Sequence, residues 1–188
     1  GVPIVCTSDY VLPEFVNSNT LVIISSYSGD TEETVAALQE AIAKKAEIAC
    51  VTSGGKVLAA SKEHGFNHII IPGGNPPRSM FGYSSVQLFF LLRHYGFIDG
   101  SFEQEVENSI SLIENNIDDI RSASRSIAER IVHRIPILYS EANYEGVAIR
   151  WRQQINENSK MLCWHHVFPE MNHNELVGWT GGDNRVAV

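Results

Sequence analysis

An apolar run, Leu21-Val22-Ile23-Ile24, breaks into the hydroxyl-rich stretch Ser25-Ser26-Tyr27-Ser28-Gly29-Asp30-Thr31 and then into a helical pattern. No other feature constrains the fold of this chain as strongly. It reads as a strand, a tight turn and a helix start, and apolar strand-like runs keep alternating with helical patterns along the rest of the chain. Such alternation predicts an α/β fold of parallel sheets flanked by helices. Strands are expected at 2–6, 21–25, 48–52, 69–71, 135–139, 161–167 and 186–188. Helices are expected at 34–45, 56–64, 79–95, 101–134 and 144–160, with a loop running into a helix over 172–179. The segment 79–95 is apolar on most sides and predicts a buried helix. The segment 101–134 carries Val106, Ile110, Ile113, Ile117, Ile120 and Ile127 at helical spacing and reads as one long amphipathic helix. That helix predicts two units, 1–100 and 101–188.

The turn carries chemistry as well as shape. A helix N-terminus presents unpaired backbone N–H groups and a partial positive charge, so Ser26, Ser28 and Thr31 hydroxyls beside it suit a phosphate. Gly29 permits close backbone approach. On local chemistry an equal alternative stands: Asp30 or Thr31 caps the helix and Glu33 completes a capping box.

Composition narrows the partners. With 188 residues, 44% hydrophobic and 19% charged, the chain can bury one large or two small cores. A net charge of -8 with 14 dispersed basic residues argues against nucleic acid or an anionic membrane as partner. No apolar stretch approaches the roughly 20 residues of a membrane span, and the first residues lack a secretory pattern, so a cytoplasmic protein is expected. Cys6, Cys50 and Cys163 are odd in number, widely spaced and set in apolar runs, which predicts buried reduced thiols. The abrupt strand-like start and finish suggest a segment of a longer protein.

Four motifs then carry a resemblance. Ser26 to Thr34 matches the S-x-S-G-x-T-x-E-T phosphosugar signature of sugar isomerase (SIS) domains, and Pro77-Arg78-Ser79-Met80-Phe81-Gly82-Tyr83 is similar to P-R-x-x-x-G-Y. Asn156-Glu157-Asn158-Ser159-Lys160 matches N-E-N-S-K, and Asn172-His173-Asn174-Glu175 matches N-H-N-E. Together they resemble the bifunctional phosphoglucose/phosphomannose isomerase family. The resemblance implies two SIS subdomains, each a three-layer αβα unit. It also implies a homodimer, no metal or other cofactor, and isomerisation of glucose 6-phosphate to fructose 6-phosphate, with mannose 6-phosphate left open.

Moving a proton between C1 and C2 through a cis-enediolate requires a base, a cation near the developing oxyanion and a phosphate anchor. Glu175 is the candidate base, on the expectation that Leu176, Val177 and Trp179 bury it and lift its pKa. Arg78, after two prolines, is the candidate cation at the enediolate oxygens. Ser26, Ser28 and Thr31 are the candidate phosphate hydroxyls. His165, His166 and His173 near Glu175 could suggest a metal, but adjacent residues on a strand face opposite ways and the spacing fits no helical zinc pair. His173 is expected to orient the Glu175 loop, and the 156–160 motif to be mainly architectural. The family's ring-opening His and later Lys fall outside this sequence. A non-catalytic phosphosugar sensor and another SIS enzyme remain as alternatives.

Overall fold

Parallel pairing organises both halves of the chain, and the computed structural model describes residues 1–182 and 185–188. The chain divides into two units, Gly1–Asn108 and Ser109–Val188. In the first, β1 (Leu21–Ser26), β2 (Glu47–Thr52) and β3 (Asn67–Ile70) form a parallel sheet in the order β1-β2-β3. The central strand is buried on both faces. Ile48 and Cys50 pack with Leu38 and Ala41 of α1 (Glu32–Ala43) and Val57 of α2 (Gly55–His64), whereas Ala49 and Val51 pack with Leu91 of α3 (Phe81–His94). Period-two alternation thus delivers apolar groups to helices on both sides, a three-layer unit in which burying each large side chain contributes roughly 1.5–3 kcal/mol.

The second unit places β4 (Ile135–Glu141) between β5 (Trp164–Phe168) and β6 (Val186–Ala187), all parallel. Helix α6 (Glu145–Gln154) packs against β4 and β5, then loosens into a π-helical turn, Ile155–Ser159. That turn stops at Lys160, whose φ is 55° and whose Nζ donates to the Glu157 carbonyl at 2.6 Å. A cation therefore covers a C-terminal carbonyl, where the helix dipole favours it. The short helix α7 (Glu175–Gly178) follows a 3₁₀ turn over Glu170–His173. The described residues thus include helix-flanked parallel sheets in both units.

Several expectations fail for identifiable reasons. Residues 2–6 form no strand; Val2, Ile4 and Val5 are exposed, and among the described residues nothing pairs with them. A strand needs a partner for its N–H and C=O groups as well as apolar side chains. Cys6 is consequently exposed, while Cys50 and Cys163 are buried and burial pushes both thiols up. The chain first gains support at Leu12 and Val16, buried against α1, with the Leu12 N–H donating to Glu40 Oε2 at 2.7 Å. The expected 101–134 helix is two, α4 (Ser101–Asn115) and α5 (Ile117–Ile131). Asn116 makes the break, its φ of -118° leaving the helical region while its Nδ2 donates to the Leu112 carbonyl at 2.7 Å. Asn competes for backbone groups in this way, and periodicity is blind to it. Nor is α3 buried all round: Leu91 is, but Phe89 and Phe90 are exposed and meet Phe102 of α4 at 5.6 and 5.1 Å between ring centroids.

The turn after β1 and the turn after β2 interlock. Val57 N–H donates to the Gly29 carbonyl at 3.0 Å and Lys56 N–H to Asp30 Oδ1 at 3.0 Å. The first amides of α2 are therefore satisfied by the neighbouring turn rather than by a cap of their own. Gly29 has φ of +75°, and a Cβ there would lie 1.9 Å from the Gly54 carbonyl oxygen. At Gly55, φ +67°, a Cβ would lie 2.5 Å from the Ser28 carbonyl oxygen. Both obstacles are backbone, so no side-chain rotation relieves them. Gly29→Ala should therefore lower stability by about 2 kcal/mol or more, read as a reduced urea midpoint with unchanged slope; an unchanged midpoint would show that the two turns can separate freely.

Candidate active site

Ser26 ends β1 with its side chain buried, and its Oγ lies 3.0 Å from Thr31 Oγ1 and accepts the Gly29 N–H at 3.2 Å. Ser28 is exposed, and its Oγ accepts the Asp30 N–H at 3.2 Å. Thr31 is the N-cap residue of α1 by backbone angle, yet its hydroxyl makes no cap bond and turns instead to Ser26. The capping-box alternative therefore fails. The result is a cluster of hydroxyls and amides at the head of α1, where the N-cap residue Thr31 spends no side-chain bond on the first turn. Such an arrangement suits a tetrahedral anion.

Arg78 lies exposed in the 3₁₀ turn Pro77–Ser79 of the same unit. Pro76 and Pro77 restrict the approach, and the Pro76 carbonyl accepts both the Ser79 N–H at 2.9 Å and the Ser79 hydroxyl at 2.8 Å.

Glu175 lies in the second unit as the first residue of α7, where Tyr139, which the residues alone did not point to, and His166, weighed above only as a metal ligand, both reach its carboxylate, while Trp179, expected to bury it, bonds to Tyr139 instead. Tyr139 of β4 donates its hydroxyl to Glu175 Oε1, His166 Nδ1 of β5 lies 2.5 Å from Glu175 Oε2, and Trp179 Nε1 donates to the Tyr139 hydroxyl oxygen at 2.8 Å. Tyr139 and His166 are register partners on neighbouring parallel strands, which is why both reach the same carboxylate. His165, one residue earlier, turns to the opposite face, with Nδ1 3.1 Å from Arg152 Nη1 and Nε2 3.4 Å from Glu145. His166 rather than His173 thus holds Glu175. Period-two alternation carried the signal for this split, and the register of β4 on β5 carried the rest.

The electrostatics invert the expectation for Glu175. Leu176 and Val177 are 56% and 71% exposed, so they desolvate it little. Hydrogen bonding from Tyr139, then from His166, holds its carboxyl below the usual carboxylate range, outweighing burial. Tyr139 moves the other way: burial first, then its bond to Glu175, push it up to about 12, so it remains a donor at neutral pH.

The Asn156–Lys160 motif bonds within itself and its own helix, with Asn156 Nδ2 donating to the Met161 carbonyl at 2.8 Å and Asn158 Nδ2 to Gln154 Oε1 at 2.5 Å. Among the described residues, no three His, Cys, Asp or Glu side chains converge as metal ligands would.

Comparison with known proteins then fixes the relationship. The model of the bacterial phospho-glucose isomerase C-terminal SIS domain matches residues 120–188. A bifunctional phosphoglucose/phosphomannose isomerase of Caldicellulosiruptor bescii is 38% identical over 94% of this chain and 54% of its own length. The chain is a homologue of these isomerases. The Aquifex aeolicus protein of the same name is 36% identical over 97% of this chain and 55% of its own length, so the chain spans about half the length of the curated relatives it matches. The crystal structure of tagatose-6-phosphate ketose/aldose isomerase from Escherichia coli superposes with a TM-score of 0.64 at 14% identity, covering 92% of this chain and 49% of that one, a likeness of fold.

Tyr139→Phe removes the first cause of the Glu175 shift. The carboxylate should then titrate at higher pH, toward the ordinary glutamate value of about 4.3. Carbon-13 NMR of the Glu175 carboxyl would read both variants, and an unmoved titration would show that the Tyr139 hydroxyl does not hold the charge.

Proposed function

We propose that the protein to which this chain belongs is a sugar-phosphate aldose-ketose isomerase, converting glucose 6-phosphate to fructose 6-phosphate and accepting mannose 6-phosphate as well. Its homology to the bifunctional isomerases supports this reading. The observation that carries it is the pairing of Glu175 with two donors that keep it ionised.

In this mechanism the Glu175 carboxylate takes the proton from C2 of the open-chain aldose, the C1 carbonyl becomes the enediolate oxygen, and the Arg78 guanidinium stabilises that charge. As the O2 hydroxyl proton passes to O1, protonated Glu175 returns its proton to C1, which leaves the ketose with C2 as the carbonyl and C1 as the hydroxymethyl carbon and regenerates the base. A carboxylate held below its usual range is ready at neutral pH without prior deprotonation, and its conjugate acid gives the proton back readily. Ser26, Ser28, Thr31 and the head of α1 hold the phosphate, so binding remote from the reacting carbons fixes C1 and C2 in place. No cofactor enters these steps. The acting form is proposed to be a cytoplasmic homodimer, as the family resemblance implies; among the described residues, no helix is long and apolar enough to cross a membrane.

Solvent deuterium incorporation at C2 of glucose 6-phosphate by the full-length protein tests the reading. Wild type should exchange, and Glu175→Gln should exchange at least about a thousandfold more slowly; exchange that survives the substitution would remove Glu175 as the base. Replacing Ser28 and Thr31 together by Ala should raise KM about tenfold or more while altering kcat less. An unchanged KM would take the hydroxyl turn out of phosphate binding.

A further inference from the structure

Tyr27 occupies the middle of the hydroxyl turn, yet its own contacts lead away from the phosphate site. Its carbonyl accepts the Ser53 N–H at 2.9 Å and the Ser53 hydroxyl at 2.6 Å, which pins the turn to the one after β2. Its ring packs partly buried against the cluster of Ala49, Val51, Ile71 and Leu91. Its hydroxyl oxygen accepts the Asn75 N–H at 3.0 Å, a contact across 48 residues of sequence.

Asn75 belongs to the loop that leads to Arg78. That loop leaves β3 at the buried Ile71, whose N–H donates to the Thr52 carbonyl at 2.9 Å, and it is anchored again at Met80, 4% exposed. Every residue from Pro72 to Ser79 is exposed, so burial does not fix the stretch between these anchors. A loop of this kind has several conformations of similar energy unless a specific bond selects one. The Tyr27 hydroxyl supplies such a bond, three residues before Arg78.

We infer that Tyr27 is a positioning residue whose hydroxyl fixes the Arg78-bearing loop to the phosphate turn, so that anion anchor and cation form one preorganised element. The inference rests on the roles given to Arg78 and to the hydroxyl turn under the proposed function. Catalysis by a fixed cation depends on that cation being in place before charge develops, so a loosened loop lowers turnover more than binding.

Tyr27→Phe keeps the ring and deletes the acceptor. In the full-length enzyme it should lower kcat about tenfold or more while changing KM and inhibition by inorganic phosphate less than about twofold. With Arg78→Ala already present, the same change should have no further effect, because its action runs through Arg78. Amide hydrogen exchange over residues 72–80 should accelerate in Tyr27→Phe while 26–31 stays protected. An unchanged kcat, an equal loss in both backgrounds or unaltered exchange would each overturn the inference. A wild-type protein without isomerase activity would instead overturn the proposed function, and the exchange measurement would still decide whether Tyr27 holds the loop.

Discussion

Two strand-to-helix turns pass so closely in the first unit that their backbones occupy the space a side chain would need. Gly29 lies against the Gly54 carbonyl and Gly55 against that of Ser28, and both glycines have positive φ. The contact satisfies the first amides of α2 from outside its own helix. It also fixes the height at which Ser26, Ser28 and Thr31 stand over the sheet. A looser crossing would leave the helix head uncapped and the hydroxyls mobile, so local packing and ligand geometry depend on the same atoms.

The second unit solves a different problem, that of keeping a half-exposed carboxylate charged and aimed. Desolvation is weak because the neighbouring Leu176 and Val177 point to solvent, and hydrogen bonds decide the outcome. Tyr139 and His166 come from adjacent parallel strands that are bonded to each other, whereas Glu175 begins a four-residue helix. Orientation is imposed on a short element by a paired one. Trp179 extends the chain of donors by one step, holding the Tyr139 hydroxyl with its proton toward the carboxylate.

Much of this was legible in the residues. The run from Leu21 through Thr31 announces strand, turn and helix because apolar period, hydroxyls and glycine all agree there, and the buried 48–52 strand is equally plain. What was not legible depends on partners distant in sequence. Residues 2–6 have strand composition but, among the described residues, no strand to pair with, and a single Asn side chain divides a stretch whose apolar spacing is continuous from 101 to 134. Thr31 looks like a cap until Ser26 is seen beside it. The charge on Glu175 was misjudged because its apolar sequence neighbours point away, while its polar neighbours lie 36 and 9 positions distant.

The three thiols occupy very different surroundings. Cys50 sits at the centre of a strand covered on both faces and Cys163 is buried just ahead of β5, whereas Cys6 stands in the open. Oxidants and alkylating reagents are thereby sorted by geometry, reaching the peripheral sulfur while both sheets are intact. A disulfide joining two copies through Cys6 would tether them by segments that pack against neither sheet, leaving the hydroxyl turn and the bonds that hold Glu175 as they are.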